Sequence, residues 1–142
     1  MSERIFMGQN QLLFNAQGAN GVSEVYNCGN ATNIIVAVTA PLNSAFTLNF
    51  QGSIGKSVTD PSAPDFSSAQ AVANMWDYVA AYDTQDPTSI ITGDTGVAIT
   101  AAAVASNTRM YIVNVSFLRY FSLQVSGWSA GSVSAVVVGS AI

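Results

Sequence analysis

Apolar and polar residues take turns along much of this chain, and that period of two constrains the fold more than any motif. Phe46, Leu48 and Phe50 alternate with Thr47, Asn49 and Gln51. A strand sends successive side chains to opposite faces, so one face of this segment is buried and the other is wet. Arg119, Phe121, Leu123 and Val125 repeat the pattern against Tyr120, Ser122, Gln124 and Ser126. Turn formers separate such stretches: Cys28-Gly29-Asn30, Pro41-Leu42-Asn43-Ser44, Asp83 to Pro87, Gly93-Asp94-Thr95-Gly96 and Gly127 to Gly131. About eight or nine short strands result, and the fold class is all-β, an antiparallel β-sandwich or jelly-roll-like domain.

Individual segments carry sharper expectations. Residues 1–20, with Gly8 and Gly18, read as an N-terminal arm with one short strand near Gln11 to Phe14. Residues 21–142 form a single sandwich domain. Ile34 to Thr39 is nearly all apolar, as a strand covered on both faces is. With the strand at 45–52 it is expected to make a hairpin. A long loop occupies residues 53–74, with a helical turn or two over Ser67 to Asn74. Residues 75–83 read as strand because aromatic and β-branched residues dominate there. A helix over 68–82, placing Val72, Trp76 and Val79 on one face, is the competing assignment. Val133 to Val138 closes the chain. If it lies at a sheet edge it needs a cover, which another subunit would supply.

Composition turns the reading from chemistry toward packing. Charged residues make up 8% of the chain and histidine is absent, whereas soluble domains average roughly one quarter charged residues. A surface of Ser, Thr, Asn, Gln and Ala can be buried against a neighbour without stranding ions. Without His, Ser-His-Asp and Cys-His catalysis is excluded, so an enzyme is not expected. Arg4, Lys56, Arg109 and Arg119 are scattered and the net charge is −4, which disfavours nucleic acid and anionic membranes. No apolar stretch is long enough for a transmembrane helix. The single cysteine, Cys28, reads as a small apolar residue at a strand end. No leader of basic then apolar residues is legible at the start, so synthesis in a cytoplasm is expected.

The remaining candidates concern contacts. Trp76 begins an alternating strand and reads as core. Trp128 lies in a Gly-rich turn, where an exposed ring suits a subunit contact or a sugar platform. Arg109 and Arg119 start strands, either capping a sheet edge, pairing with an Asp from a turn, or bridging subunits. Asp77, Asp83, Asp86 and Asp94 read as turn residues rather than a glycosidase pair. Calcium at Asp83, Asp86 and Asp94 is the weaker alternative, since no recognised ligand spacing is present. No cofactor is expected.

The order of segments resembles a known group. Phe46 to Ser53, Pro64-Asp65-Phe66, Asn74 to Val79, Gly93 to Val97, Asn114-Val115, Leu118-Arg119 and Ala130 to Val136 are similar to small β-sandwich virion proteins of tailed bacteriophages. The likeness spans about residues 22–139. It implies a non-enzymatic structural protein made in a bacterial cytoplasm and built into the virion. A capsid decoration (cement) protein on the major capsid protein is the leading expectation, as a homo-oligomer, with a trimer preferred by analogy. A tail or baseplate component and a carbohydrate-binding host-recognition sandwich are the alternatives. Pro64, Asp65 and Phe66 join Trp128, Arg109 and Arg119 as candidate subunit or ligand contacts.

Overall fold

The structure is a computed structural model that describes residues 5–55, 75–100 and 108–141, with side chains from Asn10 onward except Pro87. The strands in chain order are β1 Ile5–Gln17, β2 Gly21–Val22, β3 Tyr26–Asn27, β4 Asn33–Thr39, β5 Ala45–Ser53 and β6 Trp76–Tyr78. They continue as β7 Ala81–Asp83, β8 Asp86–Ile91, β9 Val97–Thr100, β10 Arg109–Asn114, β11 Tyr120–Ala130 and β12 Val133–Ala141. Two antiparallel sheets face each other. Sheet A runs β1-β12-β4-β10-β7-β8, and sheet B runs β2-β11-β5-β6, with β3 also on β11 and β9 also on β5. This is the expected all-β sandwich.

Alternation builds the core. Ile34, Val36 and Val38 of β4, Tyr111 and Val113 of β10, and Val133, Ala135 and Val137 of β12 point inward from sheet A, all fully or almost fully buried. Phe46, Leu48 and Phe50 of β5 and Phe121, Leu123 and Val125 of β11 meet them from sheet B. Phe50 and Tyr111 lock the layers with an edge-to-face contact, ring centroids 5.6 Å apart. Each such side chain contributes on the order of 2 kcal/mol by leaving water.

The connections differ from expectation. β4 and β5 do not form a hairpin: β4 pairs with β10 and β12 in sheet A, β5 with β11 in sheet B. The Ala40 to Ser44 link carries the chain across the sandwich. Period two says which residues face the interior, and two strands facing it from opposite sides satisfy that as well as two neighbours do. The same crossing occurs at Gly93 to Gly96, between β8 on β7 and β9 on β5. Here the glycines are required. A Cβ on Gly93 would meet the backbone of Val79 and Phe50, and Gly96 has φ +69°, where a Cβ would also run into the Leu48 carbonyl. The expected strand at 75–83 is strand, but it is cut at Val79-Ala80 into β6 in sheet B and β7 in sheet A. β7 and β8 make a true hairpin around Thr84 and Gln85, whose turn is held by the Gln85 amide donating to Asp83 Oδ1 (2.9 Å).

Both chain ends also read differently. Residues 5–17 form a strand of 13 residues, longer than the Gln11 to Phe14 piece anticipated, on the outer side of β12. β12 is therefore interior, between β1 and β4, and needs no second subunit to cover it. The other flank of β1 is stitched to the link between β2 and β3, since the Glu24 amide donates to Leu13 O and Gln11 Nε2 donates to Val25 O. The turn expected at Gly127 to Gly131 is shorter. β11 runs through Trp128 to Ala130 with an irregularity after Ser126, where Gly127 takes φ +58°. The long-loop expectation and the helical turn over 67–74 fall outside the described residues from 56 on.

Candidate functional site

The outward face of sheet A is apolar. Antiparallel register partners share a face, and the pairings Val138↔Ile35, Ile35↔Ile112, Ile112↔Tyr82 and Tyr82↔Ile90 draw one row across five strands. A second row runs Leu12↔Val136, Val136↔Ala37, Ala37↔Met110. Ile90 is 62% exposed, Leu12 48% and Met110 46%, and the others are half-buried by their neighbours. This corrects the expectation that β4 is covered on both faces: its inner residues are sealed and Ile35 and Ala37 are not. Polar rows flank the platform. Ser134 pairs with Thr39, which shares a hydrogen bond with Thr108 (3.0 Å), and Ser140, Asn33 and Asn114 align on the other side. No Asp, Glu, Lys or Arg stands in these described rows.

The outward face of sheet B is the opposite: polar yet buried. Asn49, Gln51, Ser53 and Ser122 are each 3% exposed or less. Gln51 Nε2 donates to Ser122 Oγ (2.7 Å), Ser126 Oγ donates to Asn49 Oδ1 (2.6 Å), and the Tyr78 hydroxyl donates to Gln124 Oε1 (3.2 Å). Asn49 Nδ2 reaches the carbonyls of Gly93 (3.1 Å) and Asp94 (2.8 Å), clamping the crossing loop onto β5. Paired in this way, buried amides stabilise rather than cost.

Among the described contact residues expected from sequence, Trp128 and Arg119 lie at opposite ends of β11. Trp128 is 36% exposed at the far end of β11, its indole N–H donating to Gly131 O (2.9 Å) and its amide to Asn20 Oδ1 (2.8 Å). Arg119 is exposed before the start of β11, roughly 30 Å along the strand from Trp128. Arg109 pairs with Asp83 of its own chain, the intramolecular alternative entertained for it. Pro64, Asp65 and Phe66 lie outside the described residues.

Sequence reasoning missed a second apolar feature. A groove of about 520 Å³ lies at the β5–β6 end, floored by buried Trp76 and rimmed by Ile54, Met75 and Phe117, each more than half exposed. These residues sit in turns and at strand ends, where period two carries no signal.

Chemically reactive groups are muted. Cys28 is buried, and burial pushes its thiol up to about 12, so it stays protonated near neutrality. Hydrogen bonds from Ser89 and then Thr88 hold the Asp86 carboxyl below its usual range. Asp94 Oδ1 accepts from the Thr95 amide and Asp77 Oδ1 from the Tyr78 amide, as turn carboxylates do. Among the described residues no three Asp, Glu or Cys side chains gather as a metal set, and no helix is long and apolar enough to cross a membrane.

No family model and no curated protein matches the sequence. The fold, however, is shared. YomS, a protein derived from the SPBc2 prophage, superposes with a TM-score of 0.67 over 99% of this chain and 97% of its own, at 8% identity. XepA, an exported protein of PBSX, gives 0.65 at 9% identity, over 99% of this chain and 39% of that one. At such identities the likeness is one of fold.

Proposed function

We propose that this protein is a phage-related structural protein that works by packing rather than by chemistry, and that it decorates the head of a virion. The observation that carries this reading is the outward face of sheet A: two apolar rows framed by hydroxyls and amides, with no charged residue in these described rows. Such a face adds buried area on contact without desolvating ions. The shared fold of a prophage-derived protein is consistent with a phage setting. In this reading the protein self-associates, lies against the major capsid protein, needs no cofactor or metal, and contacts neither nucleic acid nor membrane. The test is its copy number and position on purified particles, by quantitative mass spectrometry with antibody-labelled electron microscopy. Hundreds of copies over the head support decoration, and a few copies at the tail favour a tail component.

A second reading has one observation behind it. The neighbour XepA is an exported protein, and the phage-encoded product here would then act outside the host cell and not as part of a particle. Its presence in culture supernatant before lysis, with none on particles, distinguishes the two. The carbohydrate alternative rests on Trp128, whose indole N–H is committed to Gly131 O. Trp128→Ala on a glycan array tests it.

A further inference from the structure

We infer that the outward face of sheet A docks on the same face of a second copy of this chain, forming a two-fold, sheet-on-sheet dimer. The area is right. Six strands about 4.8 Å apart span roughly 24 Å, and seven residues of strand run roughly 23 Å. That is a projected face of about 550 Å², which side-chain relief raises toward the ~800 Å² per partner of a stable interface. An interface of ~800 Å² per partner would be about a tenth of the 7364 Å² that the chain exposes, the usual share for a small protein.

The chemistry selects the occupant. A face with no charge in its described rows offers nothing to a partner of opposite sign. A second copy brings apolar rows to apolar rows: Ile35, Ile112 and Met110 meet their equivalents, as in the stacked layers of a sandwich about 10 Å apart. The rims are self-complementary as well. Hydroxyls of Thr39, Thr108 and Ser134 and amides of Asn33 and Asn114 both donate and accept, so either rim satisfies either rim. A two-fold operation uses one patch twice, and sheet A presents one continuous pair of apolar rows. The pairing deepens the packing role proposed above and rests on it. The two fail separately, because pairing is read on purified protein and decoration on particles.

The experiment is sedimentation velocity on the purified full chain from low to high micromolar concentration, with Ile90→Lys/Met110→Lys as the disrupting variant. Both positions are well exposed, so a lysine is carried by the free subunit and stranded against its twin in the dimer. The native chain is expected at twice 14.8 kDa, and the variant at one, with its dissociation constant raised about 100-fold or more. Circular dichroism confirms that the variant is folded. If it is not, Ile90→Thr/Met110→Thr takes its place with the same readout. Phe117→Lys, in the groove at the other surface, is expected to leave the dimer intact. A native chain that stays single throughout overturns the inference. So does an assembly of three or more copies, a dimer that survives both paired variants, or one abolished by Phe117→Lys.

Discussion

The two outward faces of this sandwich solve opposite problems. Sheet B turns Asn, Gln and Ser outward and then buries them, which is tolerable because each described contact is a hydrogen bond. Sheet A turns Ile, Val and Met outward and leaves them partly in water. A polar face is held by direction, since a misplaced partner leaves an amide unsatisfied. An apolar face is held by area and tolerates small displacements. In the reading proposed above, the polar face of sheet B helps to hold the fold together, whereas the apolar face of sheet A is where it meets a partner.

Substitutions can break that division or sharpen it. The largest effect is expected where the crossing loop presses on sheet B. Gly93→Ala forces a methyl into the backbone of β5 and of Val79, costing about 3 kcal/mol in a urea melt. Asn49→Ala removes the clamp on Gly93 and Asp94 and the bond from Ser126, a loss of about 2 kcal/mol by the same melt. A cost below half of that in either variant would mean the polar face is ornamental.

Alkaline pH probes the interior between the faces. Cys28 rises to about 12, chiefly by burial, and burial also raises Tyr26 and Tyr111. Each is neutral when protonated, and the folded state holds its proton more tightly than the unfolded chain. Their stabilisation is thus complete below the unfolded cysteine value of about 8.5 and is lost progressively as pH rises toward 12. Thermal melts at stepped pH should show Tm falling over that window, with Cys28→Ala flattening the first part of the fall. The smallest effect belongs to sheet A. Met110→Thr, studied at a concentration where the chain is monomeric, should change stability by no more than about 0.5 kcal/mol. A larger loss would show that this face is integral to the single subunit.

Much of this was readable in advance, for a definite reason. Alternation at Phe46 to Phe50 and at Phe121 to Val125 identifies the inward residues, because the pleat alone decides them. The partner of each strand is another matter. At Ala40 to Ser44 and Gly93 to Gly96 the chain carries hairpin-like turn residues yet crosses between sheets, and nothing local distinguishes an arch from a hairpin. In β1, Leu12 and Leu13 are adjacent and the register shifts against β12 break the period of two, so the pattern reveals only part of the strand. The apolar outward face was present in the sequence as the near-continuous runs of β4 and β12. In β4 such a run reads as double burial, its ordinary meaning, and in β12 as a strand that needs a cover if it lies at a sheet edge.

The pairing of the first strand with the last has one more result. Ile5 and Ala141 are register partners, so the polypeptide enters and leaves the domain at a single point. A unit with that geometry can be spliced into a longer chain, or strung in tandem, without stretching a linker across its surface. Evolution can move such a unit between genes as a cassette, keeping its fold while the flanking sequence sets where it is delivered.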